Sequence, residues 1–282
     1  MKKKTGIHIV RLILLAVIAV CLLLLVREHY LSGQHQLQQE SLRAKKREET
    51  VKEAEKNAAS EIRRPKQLIE YRPGEDGLQA YGTKGEAAPA PAMLSKYMEL
   101  HEDNNDLAGW LSIEGMRIDY PVMQCEDDEY YLHHDFYGED SKYGCLYVRA
   151  QADLEAGTNF VIYGHNMKDG AMFGDLDLYL KEGFYKEHAI ISFDTLYEER
   201  SYEIVAVFRS KVYNADEDVF KYYQFYQADT EEEFEDFYSH IKELSLYDTG
   251  VEAQFGDTFL TLSTCAYHVK DGRLAVVAKR IV

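Results

Sequence analysis

Cys265 and Arg273 lie in one stretch, Phe259 to Ala278, read as FLTLSTCAYHVKDGRLAVVA, whose pattern brings a thiol and a guanidinium together. Period-two alternation in Phe259-Leu-Thr-Leu-Ser-Thr264 predicts a strand with Thr261, Ser263 and Cys265 on one side and Leu260, Leu262 and Thr264 on the other. Residues 266–272 carry polar groups and end in the turn signal Asp271-Gly272, and a second apolar run follows with Leu274, Val276 and Val277. Two antiparallel neighbours would set Cys265 against Arg273 across the mouth of the loop. Such a pair suits attack by sulfur on a carbonyl carbon, the guanidinium activating the thiol or holding the oxyanion that forms. A lone Cys at a strand end also fits a buried, inert position, so other residues must discriminate.

A thiol nucleophile that expels an amine needs a proton donor, and ten histidines compete for the role. His8, His29 and His35 fall in the N-terminal segment, His101 at a helix end, and His188 and His240 in acidic surroundings. His133-His134 has no third ligand spaced to make a metal site. His268 lies in the loop after Cys265, and spacing alone leaves it open. His165 follows the apolar run Phe160-Val-Ile-Tyr163 through Gly164, which puts an imidazole just past a strand end with a glycine to turn the backbone. Of the four cysteines, Cys21 lies in an apolar run, and Cys125 and Cys145 flank strands, where two buried thiols or one disulfide are open readings, buried thiols being favoured. No Cys/His metal spacing and no phosphate-binding Gly loop occurs in the sequence, so neither a metal nor another cofactor is expected.

The elements that must position these groups occupy the last two thirds of the chain. From Met93 onward, Leu94–His101 predicts a short helix. Strands are predicted at 109–113, 116–123, 144–148, 159–163, 189–193 and 201–212, ahead of the two C-terminal ones. Eight short strands without a βαβ rhythm predict a closed or nearly closed antiparallel barrel. Two helices interrupt them, at 172–180 and at Thr230–Leu244. The second opens on Asp229-Thr-Glu-Glu-Glu and repeats Phe234, Phe237, Tyr238, Ile241 and Leu244 on one face.

The N-terminal third reads differently. Residues 1–6 form a basic tail, and residues 7–26 an apolar span of about 30 Å as a helix, a membrane anchor with the tail in the cytoplasm rather than a cleaved signal peptide. Residues 27–92 are a polar helical stalk and Pro-containing linker, leaving 93–282 as the folded domain. Residues 1–66 hold 14 Lys/Arg against 7 Asp/Glu, and the remainder 18 against 42, for a net charge of −17. So acidic a folded part excludes nucleic acid as partner and suits a solvated extracellular surface.

Thr261-Leu262-Ser263-Thr264-Cys265 resembles the TLxTC signature of sortases, the cysteine transpeptidases of Gram-positive cell surfaces, and Arg273 matches the Arg that opens their following strand. Asn105-Asp-Leu-Ala-Gly-Trp-Leu111, Ile118-Asp-Tyr-Pro-Val-Met-Gln124 and Tyr130-Tyr-Leu-His-His-Asp-Phe136 look like the N-terminal part of class B members, as does a helix between the sixth and seventh strands. Tyr163-Gly-His-Asn166 matches the context of the family's catalytic His. One departure is Arg149, where class B members commonly show Asp. The resemblance covers residues 93–282. It implies a sortase β-barrel in which Cys265 attacks a Thr carbonyl of a C-terminal sorting signal and His165 moves the proton. Arg273 would hold the substrate or oxyanion, Ser263, on the strand face of Cys265, would bond substrate or steady the site, Tyr163 would line the groove or simply pack in its strand, and an amine of a peptidoglycan precursor such as lipid II or a cross-bridge would accept the surface protein. A membrane-anchored cysteine peptidase that transfers to water, and a non-catalytic surface-binding module, are the competing readings.

Overall fold

Two antiparallel strands, β7 (Phe259–Cys265) and β8 (Gly272–Arg280), form a hairpin in the wall of a closed barrel whose order is β1-β2-β3-β4-β7-β8-β6-β5. The others are β1 (Leu107–Ser112), β2 (Asp119–Met123), β3 (Leu146–Val148), β4 (Asn159–Tyr163), β5 (Ile190–Thr195) and β6 (Glu199–Lys211). The computed structural model describes residues 2–63 and 91–281. Residues 64–90 of the expected linker and Val282 lie outside the described residues.

The barrel is mixed rather than antiparallel. β2 pairs with β3, and β4 with β7, in parallel. Parallel neighbours need a crossover connection, and long connections supply it. Residues 124–145, with helix α3 (Tyr130–His133), lead from β2 to β3, while β5 and β6 intervene between β4 and β7. The antiparallel expectation failed because period-two patterning reports which face a side chain takes and carries no strand direction. The parallel β4/β7 pair puts the C-terminal ends of both strands at one end of the barrel.

Alternation sorts the two faces of β7 as expected, but both are buried. Leu260 and Leu262 join Leu274, Val276, Ile162 and Phe193 in one core cluster. On the other face Phe259, Ala275 and Val277 pack with Phe234, Phe237 and Ile241 of helix α5 (Glu231–Leu244), which lies between β6 and β7. Thr230 caps this helix with a reciprocal capping box, its side chain accepting from the Glu233 amide while Glu233 reaches back. The helix predicted at 172–180 is a 3-10 helix, Gly174–Leu180; seven residues do not separate a period of 3.0 from 3.6. A one-turn helix α4 (Glu182–Glu187) follows, and a further 3-10 turn, Tyr222–Gln224, sits in the β6–β7 connection.

The chain divides into two units, Met1–Ala44 and Lys45–Val282. The first is helical, as part of α1 (Lys2–Arg63), with every residue from Leu12 to Val26 exposed; α1 is long and apolar enough to cross a membrane. In the second unit, helix α2 (Ser95–Asp103) and the 45–53 turns of α1 meet. Lys45 pairs with Glu99 at 3.0 Å and Asp103 at 2.5 Å. Lys46 lies 4.2 Å from the centre of the Trp110 ring and 3.1 Å from Asp119, which also accepts from Trp110 Nε1 at 2.6 Å. Burial lowers the Lys46 pKa against the pull of Asp119.

Candidate active site

Cys265 ends β7 and is the register partner of Arg273, one residue into β8, so the thiol and guanidinium are carried by directly opposed backbone positions. Asp271 makes the reversal with a left-handed backbone (φ 56°), a conformation an Asp tolerates. Both residues are half-buried. Arg273 donates to the Gly272 carbonyl at 3.0 Å, which steadies the side chain near the hairpin mouth. Tyr222 lies within electrostatic reach of both Arg273 and Cys265.

His165 arrives on the neighbouring strand. β4 pairs with β7 up to Tyr163 opposite Ser263, and extending that parallel register by two residues sets His165 beside Cys265. Three hydrogen bonds extend the pairing past the strand end: Gly164 N donates to Ser263 O at 3.3 Å, Thr264 Oγ1 to Gly164 O at 2.7 Å, and Asn166 Nδ2 to Cys265 O at 2.9 Å. Gly164 is required here for space and not for a left-handed turn. A Cβ on it would run into Leu146 and come within 2.8 Å of Phe173. His165 Nε2 lies 2.8 Å from the Leu132 carbonyl. A carbonyl only accepts, so Nε2 carries a proton, and Nδ1 is the ring atom left to take up and return one. Leu132 belongs to α3 in the β2–β3 connection, and its role, being a backbone one, has no sequence signal.

The remaining residues singled out from sequence divide. Ser263 does not point freely into the site: it is buried, its hydroxyl 2.7 Å from that of Tyr222. Burial pushes the Tyr222 pKa up to about 12, with Ser263 and Arg273 pulling the other way. Tyr163 is a packed strand residue, its ring stacked on Tyr147 (5.5 Å between centroids) and under the guanidinium of Arg149. His268 is exposed in the loop, and His134 stacks on Tyr130 with Nδ1 2.7 Å from that residue's carbonyl. No group of three metal-ligating side chains occurs among the described residues. Cys125 and Cys145 are unbonded; Cys145 is buried as expected, and Cys125 is partly exposed with its thiol 3.2 Å from the Asp127 carbonyl.

Residues 111–281 match the family model described as the Sortase domain. Sortase B of Listeria monocytogenes is 34% identical over 190 residues, 65% of this chain and 73% of that one. Sortase B of Staphylococcus aureus is 30% identical over 200 residues, 67% and 79% respectively. The chain belongs to the sortases, class B. The fold agrees: a Staphylococcus aureus sortase B–substrate complex superposes with a TM-score of 0.60 at 29% identity, covering 67% of this chain and 86% of that one. In this sortase the residues that sequence reasoning missed are Asn166, Thr264 and Tyr222, which bind backbone or another side chain. The visible signal for the first two was adjacency to His165 and Cys265; Tyr222 had none.

Proposed function

We propose that this sortase is a cysteine transpeptidase that cleaves a C-terminal sorting signal after Thr and joins the upstream protein to an amine of a peptidoglycan precursor. The observation that carries the reading is the direct cross-strand pairing of Cys265 with Arg273, with β4 delivering His165 to the same barrel end. Cys265 Sγ, its thiol proton passed to His165, attacks the Thr carbonyl carbon, and the charge gathers on the carbonyl oxygen. Arg273 offers a planar, permanently charged donor set to that oxygen or to the substrate backbone. As the C–N bond breaks, His165 gives a proton to the departing amine and a thioester remains. The incoming amine then attacks the thioester carbon, the C–S bond breaks, and His165 accepts the proton that the amine loses.

The exposed apolar run from Leu12 to Val26 supports an anchor in the membrane, and the Lys residues before it support a cytoplasmic N-terminus with the catalytic domain outside. A surface protein bearing the sorting signal and a lipid II or cross-bridge amine are the partners of this reading.

The test is product analysis. The protein is incubated with Thr-containing peptides, with and without added amine, and intact-mass spectrometry follows Cys265. The expected result is a thioester on Cys265 that resolves to an amide when amine is present. Free acid in the same amount with and without amine would make the protein a peptidase instead. No adduct on Cys265 with any peptide would refute the catalytic assignment.

A further inference from the structure

Next to Cys265, on the same outer face of β3 and β4, donors gather without acceptors. Tyr163 is the register partner of Ser263, two residues before Cys265, and of Tyr147 on β3. Its hydroxyl is buried and has no hydrogen-bond partner among the described residues, and the Tyr226 hydroxyl, which comes from the β6–β7 connection, is buried with no acceptor for its proton among them, being engaged by the donor Arg149. That connection is fixed to the start of β4, where Asn159 N donates to Tyr226 O at 3.0 Å and Asn159 Nδ2 to Phe225 O at 2.8 Å. Arg149, just past the end of β3, lies over the Tyr163 ring at 5.2 Å and interacts electrostatically with both tyrosines.

Two buried phenols and a guanidinium form an excess of donors. Even where Arg149 donates to a phenol oxygen, the O–H protons lack an acceptor, and an unmet buried donor is costly. The acid that faces Arg149 does not settle the account. Asp128 stands 3.7 Å from Arg149 Nε, engages one edge of the guanidinium and already accepts from Ala150 N at 2.8 Å. Burial raises the Tyr163 pKa although Arg149 opposes it, so this phenol keeps its proton at neutral pH. Arg149 is half-exposed and covers the ring, so an incoming group meets it first.

We propose that Arg149, Tyr163 and Tyr226 form a subsite for a carboxylate carried by one of the two reactants, seated about two extended residues from the bond that Cys265 attacks. The spacing follows from Tyr163 lying two strand positions back from the nucleophile, roughly 7 Å at 3.3 Å per residue. The inference rests on the proposed transpeptidation for the identity of the reactants, but its donors are read from the fold alone.

The test uses the full chain in detergent micelles with Cys265→Ala, so that binding is separated from reaction. One ligand set is hexapeptides containing a single Thr, with Asp, Asn, Glu, Gln and Lys placed in turn at every other position. The second is glycine against glycinamide, which asks whether the carboxylate belongs to the acceptor amine. At one peptide position, or in the amine set, the acid is expected to bind about 10- to 100-fold tighter than its amide. Arg149→Gln is expected to reduce that preference to within about threefold, Arg149→Lys to retain part of it, and Tyr226→Phe to weaken it with the charge in place. Equal binding of acids and amides throughout, no binding by either set, or a preference unchanged in both Arg149 variants would overturn the proposal. Thioester formation by the unsubstituted protein is measured with the same peptides. Carboxylate preference without any thioester leaves the subsite standing and refutes transpeptidation, while thioester formation without carboxylate preference does the reverse.

Discussion

Replacing Thr264 by Val keeps the shape of the side chain and removes the hydroxyl that ties the two halves of the site together. In the structure Thr264 is buried and its Oγ1 donates to the Gly164 carbonyl at 2.7 Å, joining the residue before Cys265 to the residue before His165. Losing one such bond costs about 1 kcal/mol, and leaving the buried carbonyl poorly paired raises this to about 3 kcal/mol. For a domain of this size each kcal/mol corresponds to roughly 2–4 °C in Tm, so calorimetry should show a fall of about 2–12 °C. The chemical step should fall further than the stability does, because a displacement near 1 Å at a reacting pair costs on the order of a hundredfold. Single-turnover thioester formation, followed by mass spectrometry well below Tm, separates the two effects. Thr264→Ser retains the donor and should recover most of the rate even where its lost methyl costs stability. If Thr264→Val acylates at the parental rate, or if Ser is no better than Val, the tie does not position the site.

Three other outcomes are expected. Cys265→Ala should abolish thioester formation and His165→Ala should nearly abolish it, whereas Arg273→Lys should lower turnover by about a hundred- to a thousand-fold with the fold intact; loss of acylation in His268→Ala but not in His165→Ala, read by the same assay, would move the acid to the loop. Lys46→Ala should destabilise the Lys45–Val282 unit by about 0.5–2 kcal/mol in urea unfolding, since it strips a cation from the Trp110 ring and a partner from Asp119, and a chain begun near residue 92 should lose at least as much. Alkali should unfold the protein: burial holds the Tyr222 and Tyr147 pKa values up at about 12, so between pH 10 and 12 the folded state binds more protons than the unfolded one and stability falls, at about 1.4 kcal/mol per pH unit for each such tyrosine. A flat stability profile across that range, measured by denaturant midpoints, would contradict the burial of these phenols.

The sequence made the hairpin legible because its signals are local. Alternation from Phe259 to Thr264, the Asp271-Gly272 turn and the apolar run after Arg273 together specify two strands and the opposition of Cys265 to Arg273, and α5 was equally plain from its cap and apolar stripe. The direction of β4 relative to β7 was not legible, because residues a hundred positions apart chose each other through packing and left no local mark. Ser263 was read as bonding substrate or steadying the site, and the partner that its hydroxyl meets, Tyr222, was not foreseen because it is supplied by a 3-10 turn too short to have a pattern. The Leu132 carbonyl that holds His165 is invisible for a different reason, since every residue has one.

Pairing β4 with β7 also has a kinetic side. Gly164 and Thr264 are 100 residues apart in sequence, with β5, β6 and α5 lying between β4 and β7 in the chain. Closing so long a loop is entropically expensive until the contacts it brings are made, and topologies dominated by such contacts fold slowly. No local segment brings the Cys265 thiol and the His165 imidazole together; the long-range pairing of β4 with β7 does. On the proposed mechanism the site is therefore assembled by barrel closure and not by any one local segment of the chain.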